Sequence, residues 1–155
     1  MLTKLGDLIA GNRILLSRVF AVGFALALLA TESAHEGTLT AAILFLIGLV
    51  LVALATVGRL WCSLYLSGYK NSELITAGPY SICRNPLYFF SFLGFSGIGF
   101  ATETVTFGVL LVLAFALFYP IVIEREEQFL RARFGQAFED YCARTPRFFP
   151  RLQAL

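Results

Sequence analysis

The chain reads Gly78-Pro79-Tyr80-Ser81-Ile82-Cys83-Arg84-Asn85-Pro86-Leu87-Tyr88 at the point where a polar loop meets an apolar run. A proline at position 86 suits the first turn of a helix, because the N–H that it lacks would have no intrahelical partner there. Arg84 and Asn85 therefore stand at a helix N-terminus, where an anionic group would gain from the helix dipole and from free backbone N–H groups. The stretch predicts a polar turn that leads directly into a long apolar helix.

Apolar residues dominate the whole chain of 155 residues. Hydrophobic types make up 58% and charged types 14%, whereas about a quarter of an average soluble domain is charged. A helix needs about 20 apolar residues to cross a bilayer, so the chain has room for about four spans and for no separate soluble domain. We predict an all-α integral membrane protein that forms a single domain over residues 1–155.

Four apolar runs divide the chain. We predict spans near residues 14–30, 39–57, 86–101 and 104–123, a loop over residues 58–85 and a tail over residues 124–150. The basic region before the first run is long for a signal peptide, so we interpret that run as a span rather than a cleaved signal. Gly94, Gly97 and Gly99 in the third run let helices pack closely. Glu126 and Glu127 begin an amphipathic segment that continues the fourth span, so we expect a C-terminal amphipathic helix at the cytoplasmic membrane surface.

The basic residues predict the orientation. None of the twelve Lys and Arg residues falls in the first or the third connection between the runs, and both of those connections are acidic. An excess of Lys and Arg marks cytoplasmic loops. We therefore predict a multi-pass protein of the bacterial inner membrane with both termini in the cytoplasm. Cys62, Cys83 and Cys142 then lie on the reducing side, where free thiols are expected.

Ordered motifs on either side of the last two runs resemble a known enzyme family. They read Leu74-Ile75-Thr76-x-Gly78-x-Tyr80-x-x-x-Arg84-Asn85-Pro86-x-Tyr88, then Glu126-Glu127-x-x-Leu130, Phe134-Gly135, Tyr141 and Pro146. In this order they resemble the isoprenylcysteine carboxyl methyltransferases and the related phospholipid methyltransferases, over residues 74–150. The resemblance implies a membrane methyltransferase that uses S-adenosylmethionine at its cytoplasmic face and takes its methyl acceptor from the bilayer.

The resemblance also assigns site residues by position. The adenine and ribose would be bordered by Ser72, Glu73, Leu74 and Ile75, with Tyr65 beside them. The rest of the cofactor would be lined by Tyr80, Asn85, Pro86, Leu87 and Tyr88, and Glu126 would bind its amino group. We assign catalysis to Arg84, which suits an anionic group, and to Glu127, as a base if the acceptor arrives protonated, with Glu124 as a second candidate. We expect no metal site and no nucleic-acid partner.

Two positions depart from the family pattern and bear on the acceptor. Asn85 stands where the family usually has a histidine, which rules out a histidine base at this place. Val122 stands one turn before Glu126, the first glutamate of the Glu126-Glu127 pair. At this position isoprenylcysteine enzymes have an arginine suited to a substrate carboxylate. We therefore leave open a carboxylate, an amine or a thiol on a lipid-like or hydrophobic small molecule. The oligomeric state is not predicted.

Two other classes of protein fit part of the pattern. A nicotinamide-dependent membrane reductase of the sterol-reductase type has a related-looking C-terminal arrangement, but it would need more basic or phosphate-cradling residues than this loop contains. A non-enzymatic four-helix membrane protein would use the loop only as an anchor, with Arg84 and the tyrosines at the interface. Binding of S-adenosylmethionine or of NADPH separates the three classes.

Overall fold

The computed structural model describes residues 22–23, 37–68 and 72–151. Its helices, in chain order, are α1 (Leu39–Leu66), α2 (Pro79–Ile82), α3 (Pro86–Ala101), α4 (Val105–Phe134) and α5 (Gln136–Arg144). No strand occurs within these described ranges. The first predicted span lies outside the described residues, except for Val22 and Gly23, which are helical.

Two of the helices are long and apolar enough to cross a membrane, α1 with 28 residues and α4 with 30. At 1.5 Å per residue they are about 42 and 45 Å long, whereas the hydrocarbon core of a bilayer is about 30 Å thick. Helix α3 has 16 residues and is only about 24 Å long, so it spans a bilayer only where the bilayer thins. The structure thus confirms an all-helical fold for the described residues, with two helices of spanning length.

Helix α1 continues beyond the second predicted span. The prediction begins the loop at Gly58, whereas α1 continues through Leu66 and is followed by Gly68 at φ +83°. A single arginine, Arg59, does not end the helix, because its side chain finds a polar partner on a neighbouring helix. The predicted loop over residues 58–85 is therefore wrong for residues 58–66, which are helical.

Gly135 separates the end of α4 from α5. It adopts φ +51°, a conformation that glycine tolerates best, and its N–H donates to the Arg131 carbonyl at 3.0 Å. Helix α4 therefore carries the acidic pair as a direct continuation of the fourth predicted span. Helix α5 buries Phe138 and Tyr141 and exposes Glu139, so it is amphipathic. It lies ten residues after Glu126, where the amphipathic segment was predicted to begin, and Glu126 itself belongs to α4.

Helix α3 packs against α1 on one side and α4 on the other. Small residues allow this, because a Cβ atom on Gly48 would lie only 2.6 Å from the carbonyl oxygen of Gly97. In the same way, a Cβ atom on Gly99 would lie 2.5 Å from the Cα atom of Gly108. Both distances are shorter than real Cβ atoms show. Gly97 and Gly99 thus serve helix packing, as the sequence predicted.

The C-terminal tail folds back onto the polar stretch before α3. The Arg84 N–H donates to the Pro146 carbonyl at 2.8 Å, and the Arg151 N–H donates to the Ile82 carbonyl at 2.9 Å. The Phe148 ring packs on α3 and α4, against Phe89, Phe92 and Phe115. These contacts bring residues 146–151 to the same end of the bundle as Asn85 and the acidic end of α4.

Candidate functional site

Glu127 lies at the centre of a polar cluster that joins α3, α4 and the tail. Its Oε1 atom accepts a hydrogen bond from Asn85 Nδ2 at 2.8 Å and lies 3.6 Å from Arg84 Nη1. Its Oε2 atom lies 3.1 Å from Arg147 Nε. Only 5% of the residue is exposed. Both oxygens of this buried carboxylate are thus paired within the protein, as a buried charge requires.

Asn85 uses its amide group entirely within this cluster. The same Nδ2 atom that bonds Glu127 also donates to the Arg147 carbonyl at 3.0 Å. An amide nitrogen has two hydrogens, whereas each ring nitrogen of a histidine has at most one. Asparagine therefore bridges α4 and the tail in a way that one histidine nitrogen could not. The sequence assigned Asn85 to the cofactor, and the structure places its amide nitrogen on two protein acceptors.

Glu126, the next residue on α4, has a different environment. It is exposed, and its Oε2 atom accepts a hydrogen bond from Tyr88 Oη at 2.6 Å. The Tyr88 ring in turn contacts the edge of the Tyr119 ring, with centroids 5.5 Å apart. The two neighbouring glutamates thus differ: Glu127 is buried and paired, whereas Glu126 faces outward beside Tyr88.

Arg84 is mostly buried but not fully paired. Its Nη1 atom contacts Cys142 Sγ at 2.6 Å as well as Glu127. Its Nε atom is buried and has no hydrogen-bond partner among the described residues. A buried donor without a partner carries a large desolvation cost, so it favours an acceptor that residues 37–68 and 72–151 do not supply.

The loop before α2 contains the predicted adenine strip, and its Gly78 lies against Tyr65 of α1. Gly78 adopts φ +61°, and any side chain there would run into the Tyr65 ring from α1. The strip itself is not helical. Ser72 and Glu73 are exposed, whereas Leu74 and Ile75 are half-buried.

The remaining predicted residues have structural contacts. The Tyr80 carbonyl accepts a hydrogen bond from the buried Tyr141 Oη at 2.6 Å, and burial raises the pKa of both phenols. Pro86 is fully buried at the start of α3. Leu87 is half-buried, and its carbonyl accepts from Ser91 Oγ at 2.8 Å. Tyr80 and Pro86 are therefore buried and stabilise the turn that leads into α3.

Sequence reasoning missed Arg147. Besides its contact with Glu127, Arg147 forms an ion pair with Glu124, so it binds two of the three glutamates at this end of α4. The sequence does contain a pattern that singles out Arg147. It is the one basic residue in a segment of aromatic residues between two prolines, Pro146-Arg147-Phe148-Phe149-Pro150. Such a rigid, partly apolar segment is suited to docking a charge at a fixed place.

Two helices are long and apolar enough to span a membrane, and a buried polar cluster at one end of the helical bundle forms a candidate site. Comparison with models of known protein families identifies the family. The phospholipid methyltransferase family model matches residues 36–137, a range that includes Asn85, Tyr88 and both glutamates. The chain belongs to the phospholipid methyltransferase family, as the resemblance of its motifs indicated.

Two curated relatives are similar over nearly the whole chain. The nickel-cobalt-cadmium resistance protein NccN of Alcaligenes xylosoxydans xylosoxydans is 47% identical over 150 residues, 97% of this chain and 70% of that protein. The cobalt-zinc-cadmium resistance protein CzcN of Cupriavidus metallidurans is 47% identical over 148 residues, 96% of this chain and 68% of that protein. No solved structure matches the chain significantly. Within residues 37–68 and 72–151, no group of three or more His, Cys, Asp or Glu residues could hold a metal ion.

Proposed function

We propose that this protein is an S-adenosylmethionine-dependent membrane methyltransferase with a lipid-like or hydrophobic small-molecule acceptor. Family membership supports methyl transfer. The observation that carries the cofactor assignment is the exposed Glu126 carboxylate, held by Tyr88, at the same end of the bundle as the unpaired Nε atom of Arg84. This end of the bundle would lie at the cytoplasmic face, because its loops are basic.

The residues present fit the charged groups of this cofactor. An exposed carboxylate such as Glu126 suits the cofactor's ammonium group, and a buried guanidinium donor such as Arg84 Nε suits its carboxylate. The strip over residues 72–75 is not helical, and its exposed residues Ser72 and Glu73 would offer backbone groups to the adenine. When bound, the cofactor supplies an electrophilic methyl group: the acceptor's lone pair forms the new bond to carbon as the carbon–sulfur bond breaks.

The protein's own contribution is then to bind, orient and exclude water. Alignment of donor and acceptor supplies much of the rate, and a base is required only for an acceptor that arrives protonated. Glu127 already has partners on both oxygens. We therefore assign it the positioning of Asn85, Arg84 and the tail, and a base role for Glu127 would require one of these contacts to open.

Cofactor binding tests the proposal directly. S-adenosylmethionine and NADPH are titrated into the purified protein in a neutral detergent, and we expect binding of the first and not of the second. Glu126→Gln should weaken S-adenosylmethionine by about tenfold, since a charge-assisted hydrogen bond is lost. Glu139→Gln is the matched control, because Glu139, on α5, is also exposed and is paired with Arg131 of α4.

Each other outcome has a defined meaning. Binding of NADPH alone would favour the reductase, and binding of neither ligand would favour a non-enzymatic membrane protein. Full affinity in the Glu126→Gln variant would remove Glu126 from the cofactor site.

The names of the two relatives suggest a cellular context for methyl transfer. We infer that this chain, like the proteins named NccN and CzcN, contributes to metal resistance, and that it does so through its methyltransferase site. A deletion strain should then lose tolerance to cobalt and cadmium salts. The wild-type gene should restore it, and Glu126→Gln should not. Full complementation by that variant would separate metal resistance from the proposed site.

A further inference from the structure

A groove between the long helices carries a single cation. It has a volume of about 320 Å³ and is lined by Arg59, Ser91, Gly94, Phe95, Ile98 and Tyr119. Helix α3 supplies its floor, while Arg59 of α1 and Tyr119 of α4 stand on its two sides. None of the described residues that line it is a carboxylate, so the formal charge that these residues bring to the groove is positive.

Arg59 is directed into this groove by a specific contact. Its Nη1 atom donates to Ser91 Oγ on α3, and Ser91 is only 6% exposed. Within the described ranges Arg59 forms no ion pair. An interfacial arginine that served only as an anchor would extend towards headgroups and would not need a buried hydroxyl on the opposite helix. A guanidinium near the bilayer that has no carboxylate partner in the described part of the chain is suited to bind an anion from elsewhere.

The groove and the proposed methyl-transfer site are connected. Tyr119, which lines the groove, contacts the Tyr88 ring, and Tyr88 Oη donates to Glu126. Arg59 lies seven residues before the end of α1 and Ser91 five residues after the start of α3. At 1.5 Å per residue both are about 8–10 Å from the helix ends that carry the site. A molecule held in the groove would thus have one end close to Glu126.

We propose that this groove binds the methyl acceptor, and that Arg59 with Ser91 recognises a carboxylate or phosphate group of an amphipathic molecule. The acceptor assignment rests on the proposed methyltransferase function. Phe95 and Ile98 line the part of the groove that is further from the start of α3, where an apolar chain fits. A volume of 320 Å³ is at the small end of ligand pockets, so the groove takes a head group and the start of a chain, while the rest lies in the bilayer. Arg59 supplies from α1 the cation that Val122 does not supply from α4.

Binding of simple amphiphiles tests the site without knowledge of the natural acceptor. Dodecyl phosphate, dodecanol and inorganic phosphate are each titrated into the purified protein in a neutral detergent. Dodecyl phosphate should bind, the neutral alcohol more weakly, and inorganic phosphate more weakly still, because it lacks the chain. Arg59→Gln should weaken dodecyl phosphate by about tenfold and leave dodecanol unchanged, since only the charged contact is removed.

Two variants and one ligand make the test specific. Arg133→Gln removes the same charge from the exposed end of α4 and should leave dodecyl phosphate binding unchanged. Arg59→Lys keeps the charge but loses the guanidinium fork, so it should bind with intermediate affinity. Binding of S-adenosylmethionine by Arg59→Gln at wild-type affinity shows that this variant is folded and that its cofactor site is intact.

The outcomes separate the groove from the proposed function. Equal affinity for dodecyl phosphate in Arg59→Gln and the wild type would overturn the proposal, as would an equal loss in Arg133→Gln. If the wild type binds dodecyl phosphate through Arg59 but never binds S-adenosylmethionine, the anion site stands and the methyl-acceptor role is overturned together with the proposed function.

Discussion

Asn85 shows how one departure from the family pattern fits the residues around it. Its amide nitrogen bonds both the Glu127 carboxylate and the Arg147 carbonyl, so one side chain joins α3 to α4 and to the tail. Glu127 consequently has no free oxygen, and Glu126 is left as the accessible carboxylate. The division of roles between two adjacent glutamates follows from which of them meets Asn85.

Replacing Asn85 by alanine should lower the stability of the folded protein. The change leaves the buried Glu127 carboxylate and the Arg147 carbonyl without their amide donor, which costs about 1–3 kcal/mol. Thermal unfolding in neutral detergent, followed by circular dichroism, should show a lower midpoint. Gln136→Ala is the control, because Gln136 also donates an amide hydrogen bond to a carboxylate, that of Asp140, but on the exposed surface. Equal midpoints for the two variants would contradict the structural role of Asn85.

The three cysteines should differ in their reactivity. Cys62 and Cys83 are fully buried, whereas Cys142 is half-buried, and all three are free thiols. Burial raises the pKa of the Cys83 thiol to about 12, so it stays protonated between pH 7 and 9 and forms almost no reactive thiolate. A maleimide should therefore label the native protein at one position, and Cys142→Ser should abolish this labelling. Labelling of that variant at a rate that rises from pH 7 to 9 would contradict the buried position of Cys83.

At the scale of the helices, the sequence predicted those helix ends that neighbouring residues determine, such as a proline or a polar turn. It did not predict helix ends that depend on contacts with residues far along the chain. Helix α3 has the same bounds as the predicted span over residues 86–101, because a proline opens it and a polar turn closes it. Helix α1 ends at Leu66 rather than near Val57, since Arg59 is accommodated by Ser91, which lies 32 residues further along the chain. The pairing of Arg147 was missed for the same reason.

Replacing Gly48 by leucine should disrupt the packing of α1 against α3. A Cβ atom there would lie 2.5 Å from the Ala101 backbone nitrogen, and backbone on both sides leaves no room for a side chain to move away. We expect Gly48→Leu to lower the unfolding midpoint strongly or to prevent a monodisperse preparation in detergent. Ala53→Leu is the control, because Ala53 is exposed on the same helix. Equal behaviour of the two variants would contradict the close packing of α1 on α3.

At the scale of the whole molecule, the polar contacts gather at one end. Asn85, the glutamates of α4, and the tail all meet there, whereas the turn between α3 and α4 contains Glu103 and no basic residue. The proposed cofactor site, Arg59 at one side of the groove, and most of the basic residues that the structure describes thus lie towards the same end of the bundle. A water-soluble methyl donor and a membrane-embedded acceptor could meet only at a membrane surface, which is why the orientation of the bundle bears on function.

The orientation can be measured with fusion proteins. Helix α4 places Thr104 and Gly135 about 45 Å apart, at opposite ends of a 30-residue helix, and the positive-inside rule puts Gly135 in the cytoplasm. Alkaline phosphatase, which needs disulfides and therefore an oxidising compartment, should be active when fused after Thr104 and inactive when fused after Gly135. Green fluorescent protein at the same two positions is the reciprocal control. Active phosphatase after Gly135 would reverse the orientation and place the Glu126 site on the face away from cytoplasmic S-adenosylmethionine.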